Sequence, residues 1–434
     1  MQVIKYPEKD TFAGISARPE LERGALEMTV VTIIETVKNN GDAALRNYSE
    51  QFDQVNIDKF KVTSEEIESA IDSVSADLKK AIKIAQNNIE KFHSSQIQQE
   101  QVIETSPGVR CWRKSTPIDK VGLYVPGGSA PLFSTLLMLG VPAQLAGCEE
   151  IVVCTPPSFD GSIDPTILFI AHELGIKQVF KVGGAQAIAA MAFGTESIPN
   201  VYKIFGPGNQ YVTVAKQLIQ MEGVAIDMPA GPSEVAIIAD KNAIPEFVAS
   251  DLLAQAEHGP DSQVILVTDA EELIDPVQDQ LLIQLESLPR RKFAEQSLKN
   301  SRLVLVEDLD IAMDLINTYA PEHLILMTVN AHDLGSRVKN AGSVFLGPFT
   351  PESAGDYASG TNHTLPTNRY AKMYSGVSLD SFLTKVTFQE ISSEGLKQLG
   401  PVIQMMADAE NLNAHSQSVQ IRLNRIKKIN DNNR

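Results

Sequence analysis

The chain has 434 residues, of which 43% are hydrophobic and 21% charged, and its formal net charge is −17. This composition is typical of a folded globular protein and argues against disorder, and the negative charge argues against a protein that covers a phosphate backbone. At roughly 150 residues per domain, the length predicts two or three domains.

The first 115 residues or so are charged and rich in helix signals. Ser64, Glu65 and Glu66 begin a run that continues to about Phe92, with apolar residues at helical spacing. This pattern predicts one long amphipathic helix.

Residues 121–147 carry no charge and are long enough to span a bilayer. Pro126, Pro131 and Pro142 would break a single helix, however. The segment therefore predicts a buried strand, loop and helix instead of a membrane span.

Between residue 121 and about 347, short apolar runs alternate with helical segments. Strands alternating with helices of this length indicate βαβ units and parallel sheet. The strands are too many for one comfortable sheet, so we expect two α/β lobes that meet near Gly231 and Pro232. The strand-like runs are 151–154, 179–182, 201–205, 224–228, 234–240, 264–268, 303–306, 323–328 and 343–347.

Residues 347–368 show no periodicity and predict a long loop, which in a compact protein is usually functional or disordered. From about residue 386 the pattern becomes helical again and ends in a polar tail. Its basic stretch, 422–428, is interpreted as a solvated helix face. The predicted divisions are 1–120, 121–232, 233–380 and 381–434.

The cysteines indicate a reducing compartment. Cys111, Cys148 and Cys154 cannot all pair within one chain, and none lies in a CxxC motif or a nucleophile signature. The N-terminal residues also lack the apolar segment of a signal peptide. We therefore expect a cytoplasmic protein without a membrane anchor.

A candidate metal site begins with Gln255 and His258, which lie three residues apart near the end of a predicted helix and so share a face. Asp356, His363 and His415 are candidate partners, the first two in the long loop and the third in the C-terminal segment. Nitrogen and oxygen ligands without thiolate suit zinc, manganese or cobalt. The alternative is that His258 interacts only with a helix C-terminus.

Glu322 and His323 precede the strand-like run 323–328 and form a candidate acid–base pair. The alternative is a surface turn. Three glycine-rich turns after strands, at 124–128, 183–186 and 206–209, are candidate phosphate sites, although none has the GxGxxG pattern.

Nine segments carry a recognisable pattern: VGLYVPGG, GGAQAIAAMAFGT, GPGNQYV, DMPAGPSE, LLAQAEHGPDSQ, APEHL, GDYASGTNHTLPT, YSGVS and AENLNAHSQSV. Together these segments resemble the histidinol dehydrogenase family, over essentially the whole chain. One departure is Asn411, where the family pattern has glycine.

The resemblance implies an α/β protein of two incomplete Rossmann-like lobes with parallel sheets, a helical N-terminal region and a helical C-terminal tail. It implies NAD-dependent oxidation of L-histidinol, through L-histidinal, to L-histidine, the last step of histidine biosynthesis. One zinc ion per subunit is implied, in a homodimer whose C-terminal tails complete each other's sites.

The resemblance also implies roles for individual residues. Glu322 and His323 would be the acid–base pair. The metal ligands would be Gln255, His258, Asp356 and His415, which also line the substrate site with His323. Further substrate contacts would be Ser233, His363 and Glu410, and NAD contacts Tyr124, Gln186 and Asn209.

Three other functions remain open from the sequence. An NAD-dependent dehydrogenase of another polar alcohol could use the same scaffold. A zinc hydrolase could use Glu322 to activate water, and a metal-binding dimer could be catalytically idle.

Overall fold

The computed structural model of the chain describes residues 1–18, 23–127 and 131–432. Over these residues the chain forms two compact units, the first of residues 1–96 and 118–382 and the second of residues 97–117 and 383–434. The first unit contains two parallel sheets with helices, and the second contains an antiparallel sheet and two helices. The predicted α/β class with parallel sheets is confirmed, whereas the predicted domain bounds stay a prediction.

The N-terminal region contains two helices where the sequence predicted one from Ser64 to Phe92. Val74 is extended, and the side chain of Ser75 accepts a hydrogen bond from the backbone N–H of Leu78, 3.3 Å away, so a new helix begins there. The segment comprises β1 (Gln2–Lys5), α1 (Phe12–Ile15), α2 (Arg23–Tyr48), α3 (Ser64–Ser73), α4 (Ala76–Ser94), and β2 (Ile103–Ser106) and β3 (Val109–Pro117) of the second unit.

A five-stranded parallel sheet follows, and its strands alternate with helices as predicted. The described part of the segment 121–147 contains a strand that ends at Tyr124 and a helix whose residues 134–143 are all buried. The elements are β4 (Lys120–Tyr124), α5 (Phe133–Ala146), β5 (Glu150–Thr155), α6 (Pro165–Glu173), β6 (Gln178–Lys181), α7 (Gly184–Phe193), β7 (Lys203–Phe205), α8 (Gln210–Met221) and β8 (Ala225–Ile226), in the sheet order β6-β5-β4-β7-β8.

The second parallel sheet has six strands and includes β1, whose Gln2 pairs with Arg302 from a distant part of the chain. Its central strands are buried on both faces, which explains their continuous apolar runs. The elements are β9 (Glu234–Ala239), α9 (Pro245–Ala256), β10 (Gln263–Thr268), α10 (Ile274–Glu286), α11 (Arg291–Lys299), β11 (Arg302–Leu305), α12 (Leu309–Tyr319), β12 (His323–Met327), α13 (Ala331–Gly335), β13 (Ser343–Leu346) and α14 (Glu352–Tyr357), in the sheet order β1-β11-β10-β9-β12-β13.

The predicted loop at 347–368 contains α14, so that part of the prediction is wrong. Pro351 precedes the helix with extended backbone, and Glu352 occupies the first turn, where a carboxylate favours a helix N-terminus. The helix is only six residues long, too short to show a helical period.

The second unit is an antiparallel sheet in the order β14-β3-β2, followed by a helical hairpin. Asn411, between the two helices, has φ 59°, a left-handed conformation that glycine adopts freely and asparagine tolerates. The departure from the family pattern is thus compatible with the turn. The remaining elements are β14 (Leu383–Ile391), α15 (Ser393–Ala409) and α16 (Asn413–Asn432).

No helix among the described residues is both long enough and apolar enough to cross a membrane.

Candidate active site

The candidate catalytic residues lie at the amino ends of the strands of the six-stranded sheet. His323 is the first residue of β12, and Ser233 immediately precedes β9, which pairs with β12 in parallel. Helix α9 runs back from β9, so Gln255 in its last turn and His258 just beyond it return to the same edge. The alternation of strand and helix therefore brings Ser233, Gln255, His258 and His323 to the same edge of the six-stranded sheet.

Glu322 and His323 are buried, so the alternative of a surface turn is wrong. Glu322 is 6% exposed and His323 3% exposed. His323 Nδ1 lies 3.2 Å from the carbonyl oxygen of Glu234 and 3.6 Å from Glu322 Oε2. The backbone N–H of Glu234 donates to Glu322 Oε2 at 2.8 Å. The backbone of Glu234, in the neighbouring strand, thus contacts both acid–base candidates.

Helix α14 places two carboxylates beside the imidazole of His323. Asp356 Oδ1 lies 3.4 Å from His323 Nε2, and Glu352 Oε1 lies 3.8 Å from His323 Nδ1. With its amide nitrogen turned toward Glu352, the fully buried Gln255 donates to that carboxylate. Glu352 was not predicted from the sequence, because the helix that gives it the same face as Asp356, four residues on, was predicted to be a loop.

Electrostatics in this cluster are dominated by burial and by His323. Burial raises the pKa of Glu322 to about 8 and that of Glu352 well above its usual range. Burial alone would lower the pKa of His323, but Glu352, Glu322 and Asp356 together raise it to about 10. Burial would raise the pKa of Asp356, but the hydrogen bond and charge of His323 lower it. These four side chains by themselves therefore favour a histidinium paired with an ionised Asp356.

Two of the four predicted metal ligands, Gln255 and Asp356, lie in this cluster. Gln255 and Asp356 flank His323. His258 is exposed just beyond the end of α9, close enough to Asp356 for that carboxylate's charge to act on its ring. Asp356 Oδ1 is buried and, apart from its contact with His323, has no hydrogen-bond partner among the described residues. The fourth predicted ligand, His415, is exposed near the start of α16 in the second unit.

A cation would find a suitable set of donors here. The ligand atoms of His323, Glu352 and Asp356 lie within 4.8 Å of one another. Oxygen donors and imidazole fit zinc, manganese or cobalt, as the sequence chemistry indicated.

The predicted substrate contacts divide between the two units. The His363 ring lies beside the cluster, with Nδ1 2.9 Å from the carbonyl oxygen of Asp356 and Nε2 3.3 Å from Thr135 Oγ1. Half-buried Ser233 lies directly before β9. Glu410, by contrast, is exposed at the end of α15 in the second unit.

The predicted NAD contacts lie at the carboxyl ends of the five-stranded sheet, where α/β folds usually bind ligands. Tyr124 ends β4, and its hydroxyl accepts a hydrogen bond of 3.0 Å from the backbone N–H of Gly184. Buried Gln186 packs on Gly184, whose φ of 65° favours glycine. Asn209 caps α8 by accepting from two backbone N–H groups. Of the predicted glycine turns, Gly128 lies outside the described residues.

Comparisons with known proteins agree on one family. A family model described as histidinol dehydrogenase matches residues 16–423. The chain is 58% identical to the histidinol dehydrogenase of Bacteroides thetaiotaomicron, over 98% of this chain and all of that protein. It is 51% identical to that of Escherichia coli, over 95% of this chain and 94% of that one. The crystal structure of histidinol dehydrogenase from Elizabethkingia anophelis superposes with a TM-score of 0.96 at 53% identity, covering 98% of this chain and 99% of that one.

Proposed function

The chain belongs to the histidinol dehydrogenase family, and we propose that it oxidises L-histidinol through L-histidinal to L-histidine. Each step would pass a hydride to NAD, and the reaction would be the last step of histidine biosynthesis, in the cytoplasm. The observation that carries the proposal is the buried pair of Glu322 and His323, held beside Asp356 and Gln255.

We assign a zinc site to Gln255, His258 and Asp356, completed by His415 from a second copy of the chain. This assignment is supported by Gln255 and Asp356, which lie together against His323, and by Asp356 Oδ1, which is buried with no hydrogen-bond partner but His323 in the described part of the chain. When bound there, zinc would hold the amino and imidazole nitrogens of the substrate. Its positive charge would also lower the pKa of His323 and so favour the neutral imidazole, which can accept a proton.

In the first oxidation, His323 takes the proton of the alcohol as the hydride leaves the carbinol carbon for NAD. The Glu234 carbonyl beside Nδ1 favours a proton on that nitrogen, which leaves Nε2 as the base. Glu322, whose ionised form is favoured by the protonated His323 and by the Glu234 N–H, then takes a proton from water as the water oxygen adds to the aldehyde carbon. His323 releases its first proton to solvent and then receives the proton of the resulting hydrate in the second hydride transfer. His363, Ser233 and Glu410 would hold the substrate in place.

A homodimer with shared sites would account for the apolar side chains exposed on the second unit. Helices α15 and α16 expose large apolar residues, such as Met405, which is 75% exposed, and Ile421, which is 60% exposed. Soluble proteins rarely leave such residues clustered in the open unless a partner covers them. A second copy is the proposed partner, since Glu410 and His415 lie on this unit.

We expect two NADH per L-histidinol consumed, because both oxidations take place in one site. Chelator treatment should abolish NADH formation, and zinc should restore it. Formation of one NADH would contradict the proposed second step. Failure of folded, metal-loaded protein to form any NADH would favour another alcohol or a hydrolase.

We expect Asn209→Asp to weaken NAD binding without loss of folding. Aspartate keeps the oxygen that accepts from Tyr211 N and Val212 N, but it loses the amide donor and adds negative charge near the proposed nucleotide site. The KM for NAD should rise about threefold to tenfold, as expected from one lost hydrogen bond, with the KM for L-histidinol unchanged.

The matched control is Asp164→Asn, which makes the opposite exchange at the N-cap of α6. It should leave both KM values unchanged. An Asn209→Asp chain with a normal KM for NAD would remove Asn209 from the nucleotide site.

A further inference from the structure

One residue, Glu234, contacts both members of the acid–base pair through its backbone. Its N–H donates to Glu322 Oε2 at 2.8 Å, and its carbonyl oxygen lies 3.2 Å from His323 Nδ1. Both contacts lie where the first residues of β9 and β12 pair, with Val235 in register with His323. The position of Glu234 therefore sets the positions of both side chains.

The side chain of Glu234 is fixed by Arg18 from the N-terminal segment. Arg18 donates from Nε and Nη2 to the two carboxylate oxygens at 2.8 and 2.7 Å, and the side chains are only 9% and 2% exposed. The same guanidinium donates to the carbonyls of Ser16 and Tyr319 and stacks 3.6 Å above the Tyr319 ring. A bidentate pair with these added contacts fixes orientation as well as charge.

The carboxylate of Glu234 also holds the loop that carries His363. The backbone N–H of Asn368 donates to Glu234 Oε1 at 2.8 Å. The next residue, Arg369, donates from Nη2 to the Ser16 carbonyl at 2.9 Å. The N-terminal segment, the start of β9 and the end of this loop thus meet at one buried carboxylate.

We propose that Arg18 and Glu234 form a positioning pair for the oxidation: Arg18 fixes Glu234, whose backbone orients Glu322 and His323. This rests on the proposed function of that site. Neither residue touches the substrate in this scheme. A role in folding alone would not need the contacts from Glu234 to both acid–base residues, since apolar side chains can replace a buried ion pair without loss of stability.

The test compares Arg18→Met, Arg18→Lys, Glu234→Gln and the Arg18→Met, Glu234→Gln double variant with the wild-type protein. Glutamine keeps the shape of Glu234 but turns an N–H₂ group toward the donors of Arg18 or Asn368. NADH formation in a single turnover, normalised to bound zinc, is measured from L-histidinol and from L-histidinal, together with the KM values.

For a positioning pair we expect both oxidations to slow by about 10- to 100-fold, the range typical of residues that orient a reacting group. The KM values for L-histidinol and NAD should stay within about threefold of the wild-type values, because the contacts that bind the substrates in the ground state are retained. The double variant should be no slower than the slower single variant, since the residues act as a unit. Arg18→Lys should recover part of the rate.

The matched control is Tyr319→Phe, which removes the buried hydrogen bond from the Tyr319 hydroxyl to Gln263 Oε1 but keeps the ring beneath Arg18. It should lower the midpoint of thermal unfolding and leave the zinc-normalised rate unchanged.

A wild-type rate in variants with a lowered unfolding midpoint would overturn the positioning role. If Arg18→Met does not fold, Arg18→Lys and the nearly isosteric Glu234→Gln decide the question. Wild-type protein that forms no NADH would contradict the proposed function itself, and the role of the pair with it. Active wild-type protein with unaffected variants would contradict the pair alone.

Discussion

Glu322→Gln should separate the two oxidations. The glutamine oxygen can still accept from the Glu234 N–H, so the local geometry is kept. The amide cannot take a proton from water, however, and the loss of a general base typically slows a step by about 10²- to 10⁴-fold. Oxidation of L-histidinal should fall by this factor, while oxidation of L-histidinol, which uses His323, should continue.

The measurement is NADH formed per L-histidinol consumed, with the aldehyde captured by a carbonyl reagent after the protein is denatured. The ratio should fall from two toward one. Glu352→Gln is the matched control, because Glu352 is also a buried carboxyl beside His323 but has no part in activating water in this scheme. It should not separate the steps. Equal loss of both steps in Glu322→Gln would show that Glu322 is not the residue that activates water.

The apolar periodicity of the sequence was sufficient to predict the two parallel sheets. Each buried strand is a short apolar run followed by a helix, and this pattern depends on neighbouring residues alone. Strands β1, β2, β3 and β14 were missed, because they are stabilised by partners far away in the chain. β1 pairs with β11, and the nine residues of β14 pair with β3. Such long-range pairing leaves little local signal.

Those site residues whose type and spacing along the chain indicate a chemical role could be predicted from the sequence. Gln255, His258, Glu322 and His323 were all selected from local motifs, and the structure brings them to one edge of a sheet. The burial of Glu322 and His323 could not be predicted, because their sequence pattern fits a surface turn equally well. They become buried only through neighbouring strands of the folded sheet.

The position of the site also differs from the usual rule for parallel sheets, which places ligands at the carboxyl ends of the strands. The NAD candidates follow their strands, whereas Ser233, Glu322 and His323 lie at the starts of theirs. Reasoning from local motifs could not identify Glu234, whose role arises only because β9 and β12 are adjacent. Its contact with His323 joins residues 89 positions apart in the chain, so it depends on the register between the two strands.

Subunits that each lack a different half of the site should restore activity when they are combined. One chain carries His415→Ala in the tail, and the other carries Glu322→Ala and His323→Ala. Each homodimer should be inactive, because every site lacks either a metal ligand or the acid–base pair. If the tails cross, the mixed dimer has one intact site and should show about half of the wild-type rate, as the two-fold symmetry of a shared site requires.

The mixed dimer is obtained by co-expression with two different affinity tags and purification on both. The matched control combines the His415→Ala chain with a chain that carries all three substitutions, which should give no recovery. A purified mixed dimer as inactive as its parents would show that each tail serves its own subunit. Recovery in the first mixture alone requires that the intact tail of one chain act on the Glu322 and His323 of the other, because no other pairing of the two chains leaves a complete site.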